Sequence, residues 1–213
     1  GGAVLVGLAA TLFALAADRA DHFFSALADS DPLLAAAISP LGLMLIAWLT
    51  RRYFPGAQGS GIPQTLATME VRARDGLREQ ILSLRIVVGK IILTILGLFS
   101  GASIGREGPT VHIGAAIMFT MGRWVRFPPH YMERALILAG GAAGISAAFN
   151  TPLAGVVFAI EEISRSFEER TNGIVLTAVI FAGITALAIQ GNYNYFGSST
   201  ASFSGWQEWL AIP

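Results

Sequence analysis

Ser100-Gly101-Ala102-Ser103-Ile104-Gly105-Arg106-Glu107-Gly108-Pro109 lies where two apolar stretches meet, residues 91–105 and 108–122. Each is shorter than the roughly 20 residues that a helix needs to cross about 30 Å of hydrocarbon. Two short apolar segments joined at a glycine and proline break predict a discontinuous helix. The ionisable pair Arg106-Glu107 inside that break predicts an ion or proton pathway, because a charge at membrane depth is costly and is kept where it has work to do. Irregular backbone survives at that depth only where protein or a water-filled cavity satisfies its N–H and C=O groups, so the break is expected to line a cavity.

Working outward, the whole composition fits a membrane environment. Of 213 residues, 54% are hydrophobic and 13% charged, against about 25% charged in a soluble domain; mean hydropathy is +0.60. So little charge cannot solvate a globular surface. The net charge of zero argues against a nucleic-acid partner, since phosphate neutralisation needs a clustered basic face. The chain has no cysteine, which removes disulfides, thiolate metal sites and cysteine nucleophiles. No cofactor or metal is expected. The chain starts at Gly1 without a methionine and stops at Pro213, shortly after an amphipathic piece at residues 206–212. It reads as part of a longer protein, and its apolar opening lacks the basic n-region of a signal peptide.

Charge-free runs give the coarse map. Residues 1–17 and 32–50 approach spanning length, whereas residues 135–160 and 171–207 are longer and are expected to be broken by their glycines. Arg51, Arg52, Arg72, Arg74, Arg78 and Arg85 crowd one connection; the first loop holds Asp18, Asp21, Asp29 and Asp31 against Arg19. The positive-inside bias places the arginine-rich connection in the cytoplasm and the aspartate-rich loop outside.

Three sites share helix-start chemistry: Gly59-Ser60-Gly61-Ile62-Pro63, Gly105-Arg106-Glu107-Gly108-Pro109 and Asn150-Thr151-Pro152. Proline suits the first helical position, where its missing N–H would be unpaired anyway. A helix N-terminus presents free N–H groups and about half a positive charge, which favours an anion without a nearby cation. At Ser60 and Glu107 glycines on both sides let backbone approach a ligand closely. These sites predict a dehydrated anion held by amides and a hydroxyl, with a carboxylate able to compete for the same place.

In order, these three motifs, the third extended as Ala148-Phe149-Asn150-Thr151-Pro152-Leu153-Ala154-Gly155 and followed by Glu161-Glu162, resemble the CLC family of chloride channels and proton/chloride antiporters. The resemblance runs from about Gly1 to about Gln190. It implies an all-α, polytopic membrane fold with tilted, half-spanning and discontinuous helices. It also implies a homodimer in which each subunit has its own pathway. The family chain has two halves of inverted topology, and residues 1–213 correspond to the N-terminal half, with the second half absent.

By the same resemblance, Ser60, Gly61 and Ile62 with Gly105, Arg106 and Glu107 form the anion site, and Ser60 favours chloride. Glu107 is the gating glutamate, and Glu162 resembles the internal proton-transfer glutamate of antiporters. Neighbouring helical residues point about 100° apart, so Glu161 and Glu162 cannot both face one pathway; Glu161 is assigned to structural pairing. Lys90 corresponds to a basic residue the family keeps within the membrane region. The implied function is proton-coupled chloride exchange gated by Glu107, in a multi-pass protein of the cell (inner) membrane. Its partners are chloride, protons and the bilayer.

Other readings weigh less. A passive channel of the same family shares the motifs, and an isolated half could be transport-incompetent. A nucleotide-binding enzyme using residues 101–108 as a phosphate loop would need a preceding strand and a Lys-Ser or Lys-Thr after the glycine; neither occurs, and no enzyme is expected. Glu162 could belong to a solvated helix end with Glu161, Arg165, Glu168, Glu169 and Arg170. His22, His112 and His130 read as loop or packing residues. Trp124, Tyr131, Tyr193, Tyr195, Trp206 and Trp209 read as interfacial aromatics, and the small residues 139–148 as close helix packing.

Overall fold

The charge-free runs become helices. The computed structural model describes residues 1–70, 76–125, 131–164 and 169–191, and every regular element among them is helical. In chain order these are α1 (Gly2–Ser30), α2 (Pro32–Tyr53), α3 (Ile62–Glu70), α4 (Leu77–Ile81), α5 (Leu84–Phe99), α6 (Glu107–Trp124), α7 (Tyr131–Phe149), α8 (Pro152–Phe158) and α9 (Glu169–Gln190), with a π-helical turn at Ala159–Ser164 before α9. Among the described residues four segments are long and apolar enough to cross a membrane: Gly2–Ser30, Pro32–Tyr53, Leu77–Phe99 and Gly173–Gln190. The chain is an integral membrane protein.

The aspartate-rich segment after residue 17 is not a loop. α1 continues through it for 29 residues in all, because its second half has something to pack on. Phe23 stacks on Phe99 with ring centroids 4.6 Å apart, and Phe24 lies over Gly101. Asp31 alone separates α1 from α2, and its carboxylate caps α2 by accepting from Leu34 N–H at 3.1 Å. Proline at the first position of α2 completes this start.

The segment before the break also differs from expectation. α5 begins at Leu84 rather than at residue 91, with Ser83 accepting from Ile86 N–H. Lys90 does not interrupt it, since its ammonium is hydrogen-bonded within the protein. Arg78, expected in an exposed connection, is buried. It donates to the Thr68 carbonyl at 2.7 Å and pairs with Glu133 of α7 at 3.2 Å, which satisfies its charge and fastens α3, α4 and α7 together.

α7 is the hub of the core. Val6 and Ala10 of α1, Ile113 and Ala116 of α6, Ile137, Ala139 and Ala143 of α7, and Val179 and Ala182 of α9 are all buried in one cluster. The glycines of residues 135–160 do not break the run. Gly140, Gly141 and Gly144 stay inside α7, and the break comes at Asn150, with φ 54°. Gly140 is bare because α6 passes so close: a Cβ there would lie 2.8 Å from the Ala115 Cα. Small residues at such crossings let membrane helices gain dispersion and packing where hydrophobic exclusion is weak. α2 is the opposite case, with Leu33, Leu41, Met44 and Trp48 exposed, the surface a lipid-facing helix presents.

Residues 72, 74, 130, 165, 168, 193, 195, 206 and 209, named above among the charged, loop and interfacial residues, lie outside the described residues. So do the side chains of Tyr131, Glu162, Glu169 and Arg170. Trp124, at the end of α6, is 74% exposed.

Candidate functional site

Each predicted helix start is a helix start. α3 begins at Ile62 with Pro63 second; α6 begins at Glu107 with Pro109 third; α8 begins at Pro152. Proline thus stands in the first turn each time, where no intrahelical acceptor awaits its nitrogen. α3 and α6 open alike. Thr65 donates from both its N–H (3.0 Å) and its hydroxyl (2.9 Å) to the Gly61 carbonyl, and Thr110 does the same to the Arg106 carbonyl at 3.1 and 2.7 Å.

The two openings touch. Gly61 has φ +112°, a conformation L side chains rarely adopt, and a Cβ there would lie 2.8 Å from both the Gly108 carbonyl oxygen and the His112 Cβ. A Cβ on Gly108 would in turn lie 2.8 Å from the Ser60 carbonyl oxygen and 2.9 Å from the Ser60 Cβ. Bare backbone on both sides therefore sets the Ser60-Gly61 turn against the first turn of α6. Ser60 and Gly61 are thus brought against Gly108, next in sequence to Glu107, and against His112. Two helix N-termini converging on one place sum their partial positive charge there.

Glu107 is half-buried, and its Oε2 occupies the space a side chain on Gly105 would fill. Arg106 is directed toward α1, where its Nη1 donates to the Ala14 carbonyl at 3.1 Å and to the Asp18 carboxylate. Behind the Ser60 turn, Lys90 is 2% exposed and donates from Nζ to the Gly59 carbonyl at 3.0 Å. Gln64 Nε2 donates to the Gln58 carbonyl at 2.5 Å, and Gln58 Oε1 accepts from Gly56 N–H at 2.8 Å. His112, 1% exposed, donates from Nε2 to the Ile81 carbonyl at 2.8 Å. Its packing role is as expected.

The third helix start, at Pro152, packs on α7 and α9: Asn150 Nδ2 donates to the Gly191 carbonyl, and Gly155 lies against Ala142 and Ser146. Glu162 lies in the π-helical turn, and the adjacent Glu161 is exposed. Among the described residues no group of His, Asp and Glu is placed to hold a metal ion. Sequence reading missed Asp18, Gln64 and the paired threonines. The threonines left a signal, a hydroxyl four residues after Gly61 and after Arg106, the spacing at which a side chain reaches back to a helical carbonyl.

Comparison with known proteins shows which family the chain resembles. A family model described as voltage gated chloride channel matches residues 42–213. The H(+)/Cl(-) exchange transporter ClcA of Vibrio cholerae serotype O1 is 35% identical over 190 residues, covering 86% of this chain and 39% of that protein. A solved structure of a slow cyanobacterial Cl-/H+ antiporter superposes with a TM-score of 0.76 at 30% identity, covering 91% of this chain and 47% of the other. A CLC-type fluoride/proton antiporter structure gives 0.72 at 25% identity, with 99% and 50% covered. The chain spans less than half the length of the curated relatives it matches. Two helix starts meeting through bare glycine backbone, the all-helical architecture and a family match over most of the sequence lead to one conclusion: this chain belongs to the voltage gated chloride channel family.

Proposed function

We propose that this chain forms the N-terminal half of a proton-coupled chloride exchanger. The observation that carries the reading is the contact between the Ser60-Gly61 turn and the first turn of α6 at Gly108. Chloride is held there by first-turn amides and the Ser60 hydroxyl. A carboxylate and a chloride carry the same charge, so the Glu107 carboxylate competes for the same N-termini and withdraws when protonated. Glu162, in a π-helical turn of a kind that recurs at functional sites, passes protons on the cytoplasmic side. No covalent bond is made or broken. The names of the relatives support chloride and protons as the ions moved. A second half would supply the remaining anion ligands, and the working unit is a homodimer in the cell (inner) membrane.

The test is chloride and proton flux from liposomes containing the full-length protein, comparing wild type with Glu107→Gln and Glu162→Gln. Wild type is expected to move the two ions together. Each substitution is expected to abolish linked proton movement while chloride still passes. Proton coupling that survives both substitutions removes the roles given to these carboxylates. Chloride flux in wild type without proton movement establishes a passive channel instead.

A further inference from the structure

Behind the Ser60 turn lie buried polar atoms whose hydrogen-bonding capacity the described residues do not fill. Lys90 is 2% exposed, and among the described residues its ammonium makes one hydrogen bond, to the Gly59 carbonyl. An ammonium carries three N–H donors, so two are left over. His112 is 1% exposed, and its Nε2 meets the Ile81 carbonyl at 2.8 Å. A carbonyl only accepts, so Nε2 carries the hydrogen, and in the neutral ring Nδ1 is then an acceptor. That Nδ1 is buried and has no partner, and the same holds for Gln64 Oε1. These groups surround one turn. Lys90 holds the carbonyl of Gly59, a Cβ on Gly59 would lie 3.9 Å from Gln64 Oε1, and a Cβ on Gly61 would lie 2.8 Å from the His112 Cβ. Nδ1 is at the Cβ end of the imidazole, the end that meets Gly61, and Lys90 is near enough for its charge to act on the ring.

We propose that one ordered water is bound behind the Ser60 turn, accepting from Lys90 Nζ and donating to His112 Nδ1 and Gln64 Oε1. Buried polar groups in folded proteins are nearly always paired, and a buried water typically makes about three hydrogen bonds to groups that would otherwise be unsatisfied. The mixture of partners selects water. Chloride could accept from the ammonium, but it has no hydrogen for the two acceptors. A metal ion could use the acceptors, but the ammonium would repel it. Gln64 stands on α3, Lys90 on α5 and His112 on α6, so the water ties the two helices whose starts meet to the helix behind them. It thereby fixes how far the Ser60-Gly61 turn stands from α6. Its effect on chloride rests on the function proposed above; the water itself does not.

The experiment is a crystal structure of the full-length protein at a resolution that shows ordered waters, for wild type, His112→Asn and His112→Gln, with chloride affinity measured by calorimetry. Wild type is expected to show a water within hydrogen-bond reach of Lys90 Nζ and His112 Nδ1. Asparagine sets a carbonyl oxygen near the place of Nδ1 and gives up the bond to Ile81. Glutamine reaches Ile81 and sets a methylene where Nδ1 stood. The water is therefore expected to stay in His112→Asn and to leave in His112→Gln. Chloride affinity is expected to fall about fivefold in His112→Gln, the size of one lost hydrogen bond, and to fall less in His112→Asn. A histidine that served packing and the Ile81 bond alone would give the reverse order. A dry wild-type site overturns the proposal, as does water that stays in His112→Gln and leaves in His112→Asn, or anomalous scattering from soaked bromide at that place. If neither variant folds, the wild-type density decides alone. Unchanged chloride affinity in His112→Gln with the water gone overturns the link between the water and the turn. Absence of chloride binding to wild type counts against the function proposed above and leaves the crystallographic arm to judge the water.

Discussion

Lys90 Nζ donates a hydrogen bond to the carbonyl oxygen of Gly59 at 3.0 Å, joining the middle of α5 to the residue before Ser60. A lysine this buried persists only when its charge is hydrogen-bonded. Its carbonyl partner belongs to the turn that meets α6, so the bond sets where Ser60 stands.

Lys90→Met keeps the packing volume of the stem and removes the donor. The Gly59 carbonyl then loses its charged partner, a loss on the order of 1.5–3 kcal/mol, and the Ser60 turn loosens. Chloride affinity measured by calorimetry is expected to fall about tenfold, with helical content by circular dichroism unchanged. Undiminished affinity would show that the turn stands without the lysine.

Gly61→Ala puts a Cβ into the contact with Gly108 and His112 at a residue with φ +112°. The backbone conformation costs about 1–2 kcal/mol, and overpacking adds about 1–3 kcal/mol. The melting temperature in detergent should drop, and chloride should no longer protect the protein against heating. A stable variant that chloride still protects would show that the two helix starts can part without losing the site.

Gly105→Ala acts on Glu107 directly, because the added methyl needs the space now held by Oε2. The carboxylate must move, and chloride flux relative to proton flux in liposomes should rise. In a Glu107→Gln background, where linked proton movement is already lost, the same change should leave chloride flux as it is, since residues in contact act non-additively. A change in chloride flux of equal size in both backgrounds would separate Gly105 from the gate.

Arg78→Met removes a buried donor from the Thr68 carbonyl and leaves Glu133 without this partner. An unpaired charge in a largely buried setting costs about 3 kcal/mol. The expected outcome is a lower melting temperature with chloride affinity in the folded protein unchanged, because Arg78 supports α3 and α7 from behind the site. A selective loss of chloride binding would assign it a more direct role.

Much of the fold was legible because its signals are local. Pro63, Pro109 and Pro152 marked first turns, since a residue without N–H fits nowhere better. The small residues of α7 marked a crossing where backbones approach. What stayed hidden depended on partners distant in sequence. The length of α1 rests on Phe23 meeting Phe99, the burial of Arg78 on Glu133, and the continuity of α5 on the Gly59 carbonyl that receives Lys90. None of these leaves a mark at the residue itself.

Sequence alone determined that the chain is helical and membrane-embedded, and that α3, α6 and α8 begin where they do. Hydropathy, proline and glycine act within a few residues of themselves, and no distant contact is needed to read them. Tertiary structure decided which helix starts converge and which acid Arg106 takes. Convergence requires two bare stretches of backbone, Ser60-Gly61 and Gly108, to reach contact distance, and the choice of Asp18 requires α1 to pass the α6 N-terminus. Both depend on how whole helices pack, so the two candidate halves of the anion site could be found in the sequence, but their meeting could only be found in the fold.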